Sequence, residues 1–482
     1  MNVYGSEKVL YHLDKIEQLR NNEQPNPTHV QLIISDYCNQ NCSFCFPSGK
    51  VLTPNGLKEI KDITEGSLVL DIDGVARAVT HLFSRDYCGK IISIYTDNCM
   101  IECTPEHPIE STKGFKEAAE FQVKDYILTV NGFEKIKRIY VYNYVGKVYN
   151  LEVEQERYVI NGVSVHNCAY RMDGYSSNQL FKIVENNKVN NNPKRMIPWE
   201  KIEETVNCFK EMGVKACSLT GGGDPTVHPD FNKIAQLILD NNIDLSLVTN
   251  GLLLKEKMAK ILTQSAWVRI SVDCGTKESY AKIRSVPQEE YGIVEKNVRR
   301  FAAMPRKTLI GIGYVVTKDN YKELYLGCQQ FKDWGADNVR ISAIFQNEGT
   351  EYFKDIYQDV LEQVKLCKTL SDSKFTVYDN FGSRFEDLQL GNPDYSFCPY
   401  MSFTTYIGGD QNVYTCCVNS YNKKGLIGSI KDQSFKQLWE GEVKKNFFNK
   451  FDAKGCERCM FNEKNKFINN LLRPSTPHDN FV

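Results

Sequence analysis

Residues 38–45 of the sequence read CNQNCSFC, and residues 166–170 read HNCAY. The first stretch places Cys38, Cys42 and Cys45 at the spacing C-x3-C-x2-C, which suits three thiolates on one metal-cluster loop. Cys168 in the second stretch is followed by AYR, which looks like the natural continuation of the first. Either Cys45 or Cys168 can therefore be the third ligand, and the 123 residues numbered 45–167 need an explanation.

The composition limits the class of protein. The chain has 482 residues, with 59 Lys and Arg against 60 Asp and Glu, and a net charge of -1. This balance argues against a general nucleic-acid or anionic-membrane binder, and no apolar run approaches the roughly 18 residues of a membrane span. The first residues, MNVYGSEKVLYHLDKIEQLR, are charged and amphipathic and do not resemble a signal peptide. We expect a cytoplasmic protein of two or three domains.

Seven of the 17 cysteines fall into clusters, at 38/42/45, 416/417 and 456/459. In a long cytoplasmic chain, clustered cysteines are more often metal or redox ligands than disulfides. Most of the isolated ones are expected to be small buried hydrophobic side chains; they are Cys88, Cys99, Cys103, Cys208, Cys217, Cys274, Cys328 and Cys367.

Most of the chain alternates between strand and helix patterns. Six short apolar runs are separated by amphipathic segments such as FNKIAQLILDNN; the runs are VQLIIS, ACSLT, LSLVT, VRISV, IGIGYVV and VRISAI. This alternation predicts a parallel α/β sheet in the form of a partial (βα)6 barrel. From about Asp372 the pattern is less regular, with cysteines and aromatic residues.

The segment 45–167 has a different pattern. It consists of short β-branched runs such as GKIISIYTD and KVYNLEVEQERYVI, punctuated by Asn-Gly, Asp-Gly and other glycine turns. These features predict an all-β module inserted directly after the first strand of the α/β domain.

Three groups of residues give this module a chemistry. It begins with Cys45, contains TPEH at 104–107, and ends with His166 and Asn167 before Cys168. A Cys45 thiol can attack the carbonyl of Phe44 and turn the amide into a thioester, with Thr104 and His107 assisting. Cys168 can then take the acyl group. Asn167 can cyclise with help from His166, which breaks the bond between Asn167 and Cys168. A lone histidine is usually structural, but the three groups together predict peptide-bond rearrangement.

Residues 45–167 resemble an intein, on the opening CFPSGKVLTPNG, on IECTPEHPI and on VYNLEVEQERYVINGVSVHNC. The resemblance implies the horseshoe-shaped Hint fold, and the short length implies a mini-intein without an endonuclease. Two positions depart from many relatives, since Asn150 replaces an aspartate and a histidine is absent near Arg157.

Removal of 45–167 joins residues 1–44 to 168–482, a product of 359 residues. Its junction reads DYCNQNCSF followed by CAYRMDGY, which restores C-x3-C-x2-C with Cys38, Cys42 and Cys168. Three thiolates leave one iron of a [4Fe–4S] cluster with an open position. A zinc site is the alternative, but structural zinc prefers four protein ligands.

The spliced chain resembles the radical S-adenosylmethionine (SAM) superfamily, with Phe44 as the aromatic residue before the third cysteine. The segment SLTGGGDPTVHPDF resembles that family's Gly-Gly-Glu-Pro segment, so Gly221, Gly222, Gly223 and Asp224 are candidate SAM contacts, together with Ser271 and Asp273 at a strand end. The family implies reductive cleavage of SAM to a 5′-deoxyadenosyl radical that abstracts hydrogen from a substrate. It also implies an electron donor of the flavodoxin or ferredoxin type and a peptide or small-molecule substrate, with no nucleic acid and no membrane as partner.

The C-terminal cysteines resemble the auxiliary-cluster extensions called SPASM and twitch domains. The resemblance implies a second [4Fe–4S] cluster on Cys398, Cys416, Cys456 and Cys459, with Cys417 as an alternative to Cys416. Zinc on the same four residues stays open. The competing class is a non-enzymatic, zinc-stabilised binding protein with an inactive β insert.

The predicted organisation has four parts: 1–44 begins the radical SAM core, 45–167 is the mini-intein, 168–371 completes the core, and 372–482 is the auxiliary-cluster extension.

Overall fold

The structure is a computed structural model, and it describes residues 5–36, 46–64, 66–105, 107–112, 114–153, 157–166, 184–185, 188–189, 195–284, 286–345, 349–456, 458–477 and 481. The described residues fall into two compact units. One is drawn from 1–40, 174–182 and 192–482, and is called the α/β unit below. The other is drawn from 41–173 and 183–191, and is called the β unit.

The chain enters through a 3-10 helix, Ser6–His12, followed by α1 (Leu13–Arg20) and strand β1 (His29–Leu32). Apolar residues of these helices form a small cluster with residues from the far end of the chain, namely Val9, Ile16, Leu19, Phe403 and Ile468.

The β unit follows β1 in the sequence. Its strands are β2 (Lys50–Thr53), β3 (Gly56–Glu59), β4 (Leu68–Leu70), β5 (Ala76–Tyr95), β6 (Met100–Cys103), β7 (Pro108–Ser111), β8 (Gly114–Glu117), β9 (Tyr126–Thr129), β10 (Gly132–Lys135), β11 (Arg138–Val153), β12 (Arg157–Ile160) and β13 (Val163–His166). A short hairpin, β14 (Val184–Glu185) and β15 (Lys188–Val189), comes later in the chain. The all-β prediction for this segment is confirmed.

Two sheets make up the β unit. One has the order β10-β9-β7-β13-β12-β2-β3, with β8 beside β7, and the other has the order β11-β5-β4, with β6 beside β5. The long strands β5 and β11 pair antiparallel from Tyr95 and Arg138 to Val79 and Val153. The hairpins β2–β3 and β7–β8 repeat one pattern, since each is followed by a 3-10 turn, at Ile60–Asp62 and Ala118–Glu120.

The α/β unit resumes with helices and strands in alternation. Its elements are α2 (Trp199–Glu211), β16 (Ala216–Leu219), α3 (Phe231–Asp240), β17 (Asp244–Thr249), α4 (Glu256–Leu262), β18 (Trp267–Ser271), α5 (Lys277–Arg284), α6 (Glu289–Ala302), β19 (Leu309–Val316), α7 (Leu324–Asp333), β20 (Asn338–Ala343), α8 (Tyr357–Lys368), β21 (Thr376–Asn380) and α9 (Phe381–Leu390). The chain then continues through α10 (Tyr400–Phe403), β22 (Thr404–Ile407), β23 (Asn412–Tyr414), β24 (Leu426–Ser429), α11 (Phe435–Glu440), α12 (Glu442–Lys450) and α13 (Asn462–Leu472).

All these strands of the α/β unit form one sheet, with the order β21-β20-β19-β18-β17-β16-β1-β22-β23-β24. The six predicted strands are confirmed as β1 and β16 to β20, and they run parallel. Two further strands extend them in parallel, β21 beside β20 and β22 beside β1. The C-terminal extension, predicted to begin at 372, therefore contributes strands to the core sheet.

Alternate residues of this sheet are apolar, as expected for strands covered by helices on one face. Val30, Cys217, Leu245, Val268 and Ile310 are all fully buried. Of the isolated cysteines, six are buried and Cys99 is partly exposed, while the side chain of Cys88 is not described; the six are Cys103, Cys208, Cys217, Cys274, Cys328 and Cys367. In the part of the chain that the structure describes, no helix is long and apolar enough to cross a membrane.

Candidate functional sites

The start of the β unit lies against His107. Phe46, the residue after Cys45, is fully buried, and its ring centroid is 4.0 Å from that of His107. The Phe46 backbone N–H donates to the Tyr149 carbonyl and the Tyr149 N–H donates to the Phe46 carbonyl, both at 2.7 Å. Phe46 is therefore held beside His107 by both its ring and its backbone.

Thr104 and His107 occupy the tight connection between β6 and β7. Both side chains are fully buried, and the His107 N–H donates to the Thr104 carbonyl at 3.0 Å. This turn holds the two predicted catalytic residues together inside the core of the β unit. A buried imidazole is shielded from bulk water, which suits a group that moves one proton at a defined place.

The end of the β unit reaches the same place. Strand β13 pairs antiparallel with β7, with Val165 opposite Ile109, and in that register the next residue, His166, lies opposite Pro108. Pro108 directly follows His107 in the chain. Phe46, near the start of the predicted intein, thus lies beside His107, and β13, near its end, pairs with the strand that follows His107.

The two positions that depart from intein relatives have defined surroundings. Asn150 is fully buried, and its Oδ1 accepts hydrogen bonds from the Tyr158 hydroxyl and the Leu151 N–H, each at 2.8 Å. Arg157 forms ion pairs with Asp73 and, at 3.7 Å, with Glu110, and it is the cross-strand neighbour of His166. Sequence analysis did not single out Tyr158, although it lies in the C-terminal block quoted above, or Glu110, which directly follows the block IECTPEHPI.

Several predicted site residues lie outside the described residues. They are Cys38, Cys42, Phe44, Cys45, Asn167 and Cys168. The backbone of His166 is described, but its side chain is not. Their roles therefore stay predictions.

A buried ion pair precedes the first cysteine loop. Asp36 is fully buried, and its Oδ2 accepts from Nε and pairs with an Nη of Arg195, each at 3.0 Å. The Tyr421 hydroxyl donates to the other oxygen of Asp36, and the Arg195 guanidinium lies 5.3 Å from the centroid of the Tyr421 ring. Asp36 therefore joins segments from before the β unit, from after it and from the C-terminal extension. Sequence analysis did not single out these three residues.

The glycine segment after β16 is a closely packed turn. A Cβ atom at Gly221 would lie 1.9 Å from the Gly223 carbonyl oxygen, so only glycine fits there. The Gly223 N–H donates to the Ser35 carbonyl at 3.2 Å. The turn is thus attached to the end of β1, where parallel α/β sheets place their ligands.

The Asp224 side chain is hydrogen-bonded to other residues of the chain. Its buried carboxylate accepts from the Thr226 N–H at 2.9 Å and hydroxyl at 2.5 Å, from the Thr249 hydroxyl at 2.9 Å and from the Asn250 N–H at 2.6 Å. Four such bonds tie the ends of β16 and β17 together. This arrangement fits a positioning role for Asp224, and its contact with SAM stays a prediction.

Ser271 and Asp273 lie at and after the end of β18. The Asp273 carboxylate pairs with Arg284 and accepts from the Val315 N–H at 2.8 Å, and another Arg284 N–H donates to the Ser271 carbonyl at 3.1 Å. Burial raises the pKa of Asp273, an effect that the Arg284 charge opposes. Sequence analysis missed Arg284, which lies at the end of a helix with no motif around it.

Four C-terminal cysteines line one cavity. Cys398, Cys416, Cys456 and Cys459 share it with Tyr395, Asn419 and Asn465. Cys417 is buried but is not among the lining residues, which favours Cys416 as the ligand.

Neighbouring N–H and O–H groups donate hydrogen bonds to two of these sulfur atoms. Asn419 Nδ2 lies 3.2 Å from Cys456 Sγ, and the Tyr395 hydroxyl and Phe461 N–H lie 3.4 and 3.3 Å from Cys459 Sγ. Burial raises the pKa of Cys398 to about 12 and raises that of Cys416 as well. Because these thiols resist ionisation unaided, thiolates here need a bound cation, and the surrounding donors fit a cluster of thiolate ligands.

Comparisons with known proteins agree with these sites. The family model for the radical SAM superfamily matches residues 168–326, and the model for an iron–sulfur cluster-binding SPASM domain matches residues 398–460. The chain therefore contains a radical SAM domain and a SPASM domain. These domains bind a [4Fe–4S] cluster with SAM and an auxiliary iron–sulfur cluster.

Two curated relatives share parts of the radical SAM protein. A tungsten-containing aldehyde ferredoxin oxidoreductase cofactor-modifying protein of Pyrococcus furiosus is 25% identical over 35% of this chain and 49% of its own. A mycofactocin maturase of Mycobacterium tuberculosis is 27% identical over 30% of this chain and 37% of its own. The chain thus spans about half or less of the length of these relatives.

A solved structure is similar to a different part of the chain. The bacterial intein-like domain from Clostridium thermocellum is 26% identical and covers 26% of this chain and 98% of its own, with a TM-score of 0.24.

Proposed function

We propose that the chain is a precursor that excises residues 45–167 by protein splicing and joins Phe44 to Cys168. The observation that supports this most is the convergence of both ends of the β unit on His107, through the Phe46 ring at one end and the β13–β7 pairing at the other. A structural insert has no need to bring its two junctions to one buried imidazole.

The proposed reaction needs no external reagent. The Cys45 sulfur attacks the Phe44 carbonyl carbon while His107 protonates the departing Cys45 nitrogen, which converts an amide into a thioester. The Cys168 thiolate then displaces the Cys45 thiolate. The Asn167 side-chain nitrogen attacks its own carbonyl, which breaks the Asn167–Cys168 bond and frees the Cys168 amine. That amine attacks the thioester and leaves a Phe44–Cys168 amide.

The mass of the purified product tests this proposal. The unspliced chain has a mass of 55.3 kDa, and we expect expression to yield a spliced protein of 359 residues and an excised segment of 123. A Cys45→Ala variant should stay at full length, because it lacks the nucleophile. A matched control, Cys99→Ala, alters a cysteine of the same unit outside the junctions and should splice. If the parent and Cys45→Ala have the same full-length mass, the proposal is wrong.

The proposed product is a radical SAM enzyme in which Cys38, Cys42 and Cys168 hold the SAM-binding cluster. When bound, the reduced cluster and SAM supply a radical that abstracts hydrogen from the substrate. The chain's own part is positioning: Asp36 orders the strand before Cys38, and Asp224 and the glycine turn order the strand ends that face SAM. Cys398, Cys416, Cys456 and Cys459 would hold the auxiliary cluster.

The likeness to a mycofactocin maturase supports a peptide as the substrate, and an electron donor of the flavodoxin or ferredoxin type would reduce the cluster. Anaerobic incubation of the reduced, spliced protein with SAM should release methionine and 5′-deoxyadenosine. A Cys38→Ala variant should release neither, although it retains every residue of the splicing site. Equal release by parent and variant would contradict the assignment.

A further inference from the structure

One face of the core sheet is polar. At alternating positions of β1 and β16 to β20, the residues opposite the helix-covered face include His29, Gln31, Ser218, Ser246, Arg269, Ser271, Arg340 and Ser342. Side chains of β1, β16 and β17 are hydrogen-bonded to one another on this polar face. His29 Nε2 lies 2.8 Å from Ser218 Oγ, and Ser218 Oγ lies 2.6 Å from Ser246 Oγ. In an enzyme with SAM at the strand ends, this face is where a substrate can approach.

Two arginines of the polar face flank a strand without side chains. Arg269 on β18 pairs in register with Gly311, and Arg340 on β20 pairs with Gly313, both on the intervening strand β19. A Cβ atom at Gly313 would contact Arg269 Cδ at 3.5 Å, so the Arg269 side chain leans over Gly313 toward the row of Arg340. The outer strands of such a trio are about 10 Å apart. An oxyanion that lies between two such strands can accept hydrogen bonds from a guanidinium group on each of them.

Two lysines bring further positive charge to this face. Lys8, in the entry 3-10 helix, and Lys464, in α13, both have lowered pKa values, mainly because of burial. The charge of Arg269 lowers the pKa of Lys8 further, and the charge of Lys8 does the same for Lys464, although Glu7 and Glu463 act in the opposite direction. The charges of Arg269 and Lys8 therefore repel each other, as do those of Lys8 and Lys464, and an anion near them would be stabilised.

Few carboxylates offset this charge. Among the described residues at the alternating positions of β1 and β16 to β21, Asp244 is the one carboxylate, at the exposed first position of its strand. Asp273, beyond the end of β18, is paired with Arg284; burial raises its pKa, and the charges of Arg284 and Arg340 oppose that rise. Burial lowers the pKa of His29 to about 4, so this residue is neutral near pH 7 and adds no charge.

We propose that the polar face binds an anionic group of the substrate, a carboxylate or a phosphate, between Arg269 and Arg340. The inference rests on the proposed radical SAM function, and it narrows the substrate class to molecules with an oxyanion near the reacting carbon. A carboxylate of an acidic peptide and a phosphate of a nucleotide share this chemistry.

Calorimetric titration of the full chain with two probes tests the inference. The probes are inorganic tripolyphosphate and a capped tri-glutamate peptide, with a capped tri-glutamine peptide as the neutral reference. Arg269→Gln and Arg340→Gln should each weaken binding at least tenfold, while Arg269→Lys and Arg340→Lys should recover part of it. The matched control is Lys282→Gln, which removes an exposed cation paired with Asp319 at 2.8 Å and should bind within twofold of the parent.

The outcomes separate the two claims. Binding of tri-glutamate alone indicates an acidic peptide, binding of tripolyphosphate alone indicates a phosphate, and either supports the inference. If the parent binds neither probe, or if both glutamine variants bind as Lys282→Gln does, the inference is wrong. SAM cleavage by a parent that binds neither probe would leave the radical SAM function intact. Probe binding by a parent that cannot cleave SAM would instead count against the function.

Discussion

Single residues decide whether the proposed SAM site can form. Gly221 and Asp224 lie in the same short turn, and each helps to fix it. Gly221 does so because it has no side chain, and Asp224 because its carboxylate accepts four hydrogen bonds. The glycine run alone is compatible with any tight turn. The contact with the Gly223 carbonyl and the attachment to Ser35 show why this turn has one conformation.

We predict that Gly221→Ala abolishes SAM cleavage. The added Cβ would lie 1.9 Å from the Gly223 carbonyl oxygen, so the backbone of the turn has to move. The measurement is 5′-deoxyadenosine release by the reduced protein, with iron content as a check on cluster loading. Gly292→Ala is the control, because a Cβ at this position of α6 meets nothing within 4 Å, and it should stabilise the helix by about 0.5–1 kcal/mol. Normal cleavage by Gly221→Ala would show that the turn tolerates a side chain.

At the scale of elements, strand pairing places the functional groups. In the β unit, β13, the last strand before the predicted C-terminal junction, pairs with β7, whose first residue follows His107. In the α/β unit, β22 pairs in parallel with β1, the strand that leads to the first cysteine loop. Both pairings join segments that are far apart in the sequence.

We predict that Thr405→Pro destabilises the α/β unit by about 3 kcal/mol or more. Thr405 is fully buried in β22 opposite Val30 of β1, and proline there removes a ladder hydrogen bond and clashes with the strand geometry. Thr405→Val is the control, since it keeps the backbone and loses only the hydroxyl bond to the Tyr414 carbonyl at 2.9 Å, worth about 1 kcal/mol. Urea unfolding measures both variants. Equal midpoints would mean that β22 does not support β1.

A pH-dependent contribution is expected where β10 meets the turn before β6. Burial alone would raise the pKa of Glu134, but hydrogen bonds from Thr96 Oγ1, Asn98 Nδ2 and Asn131 Nδ2 outweigh it and lower the pKa to about 2. An acid whose pKa is lowered by folding stabilises the fold at pH values above its pKa in the unfolded state. This stability is lost as the pH falls toward its pKa in the folded state.

Glu134→Gln should therefore destabilise the protein near pH 6, and its difference from the parent should shrink between about pH 4.5 and 2. Thermal unfolding across this range is the measurement. Glu120→Gln, at an exposed position of the same unit, is the control and should follow the parent. A difference that stays constant with pH would contradict the role given to the carboxylate.

At the scale of the whole molecule, the α/β unit is assembled from segments on both sides of the β unit in the sequence. Asp36 precedes the β unit, Arg195 follows it, and Tyr421 belongs to the C-terminal extension. The Asp36 N–H also donates to the Arg195 carbonyl at 2.9 Å. These contacts belong to the unspliced chain, so splicing would join ends of a host whose surrounding segments are already paired.

We predict that Arg195→Ala lowers the free energy of unfolding by about 3–5 kcal/mol, because it leaves the buried Asp36 carboxylate without its cation. The double variant Asp36→Asn, Arg195→Ala should recover part of the loss, since no buried charge remains. Urea unfolding measures the free energies. If the single and double variants are equally unstable, the loss comes from packing and not from an unpaired charge.

The sequence by itself determined the kind of protein. The six apolar runs and the β-branched insert are local patterns, and the cysteine spacing that would result from joining Phe44 to Cys168 can be read from two short stretches. Such patterns indicated His107 and Asp224 as candidates because both lie in motifs. They gave no indication of the Phe46 ring beside His107, of Arg284 beside Asp273, or of Arg269 and Arg340 on one face.

Only the tertiary structure decided how these residues meet. Which side chains share a face of β18 to β20 depends on strand order and register, and these are fixed by packing between distant segments. The same holds for the approach of Phe46 to His107, for the pairing of β13 with β7, and for the continuation of the core sheet into β21 and β22. A pairing between residues far apart is set by the energy of the whole fold, and a short stretch of sequence carries little of that information.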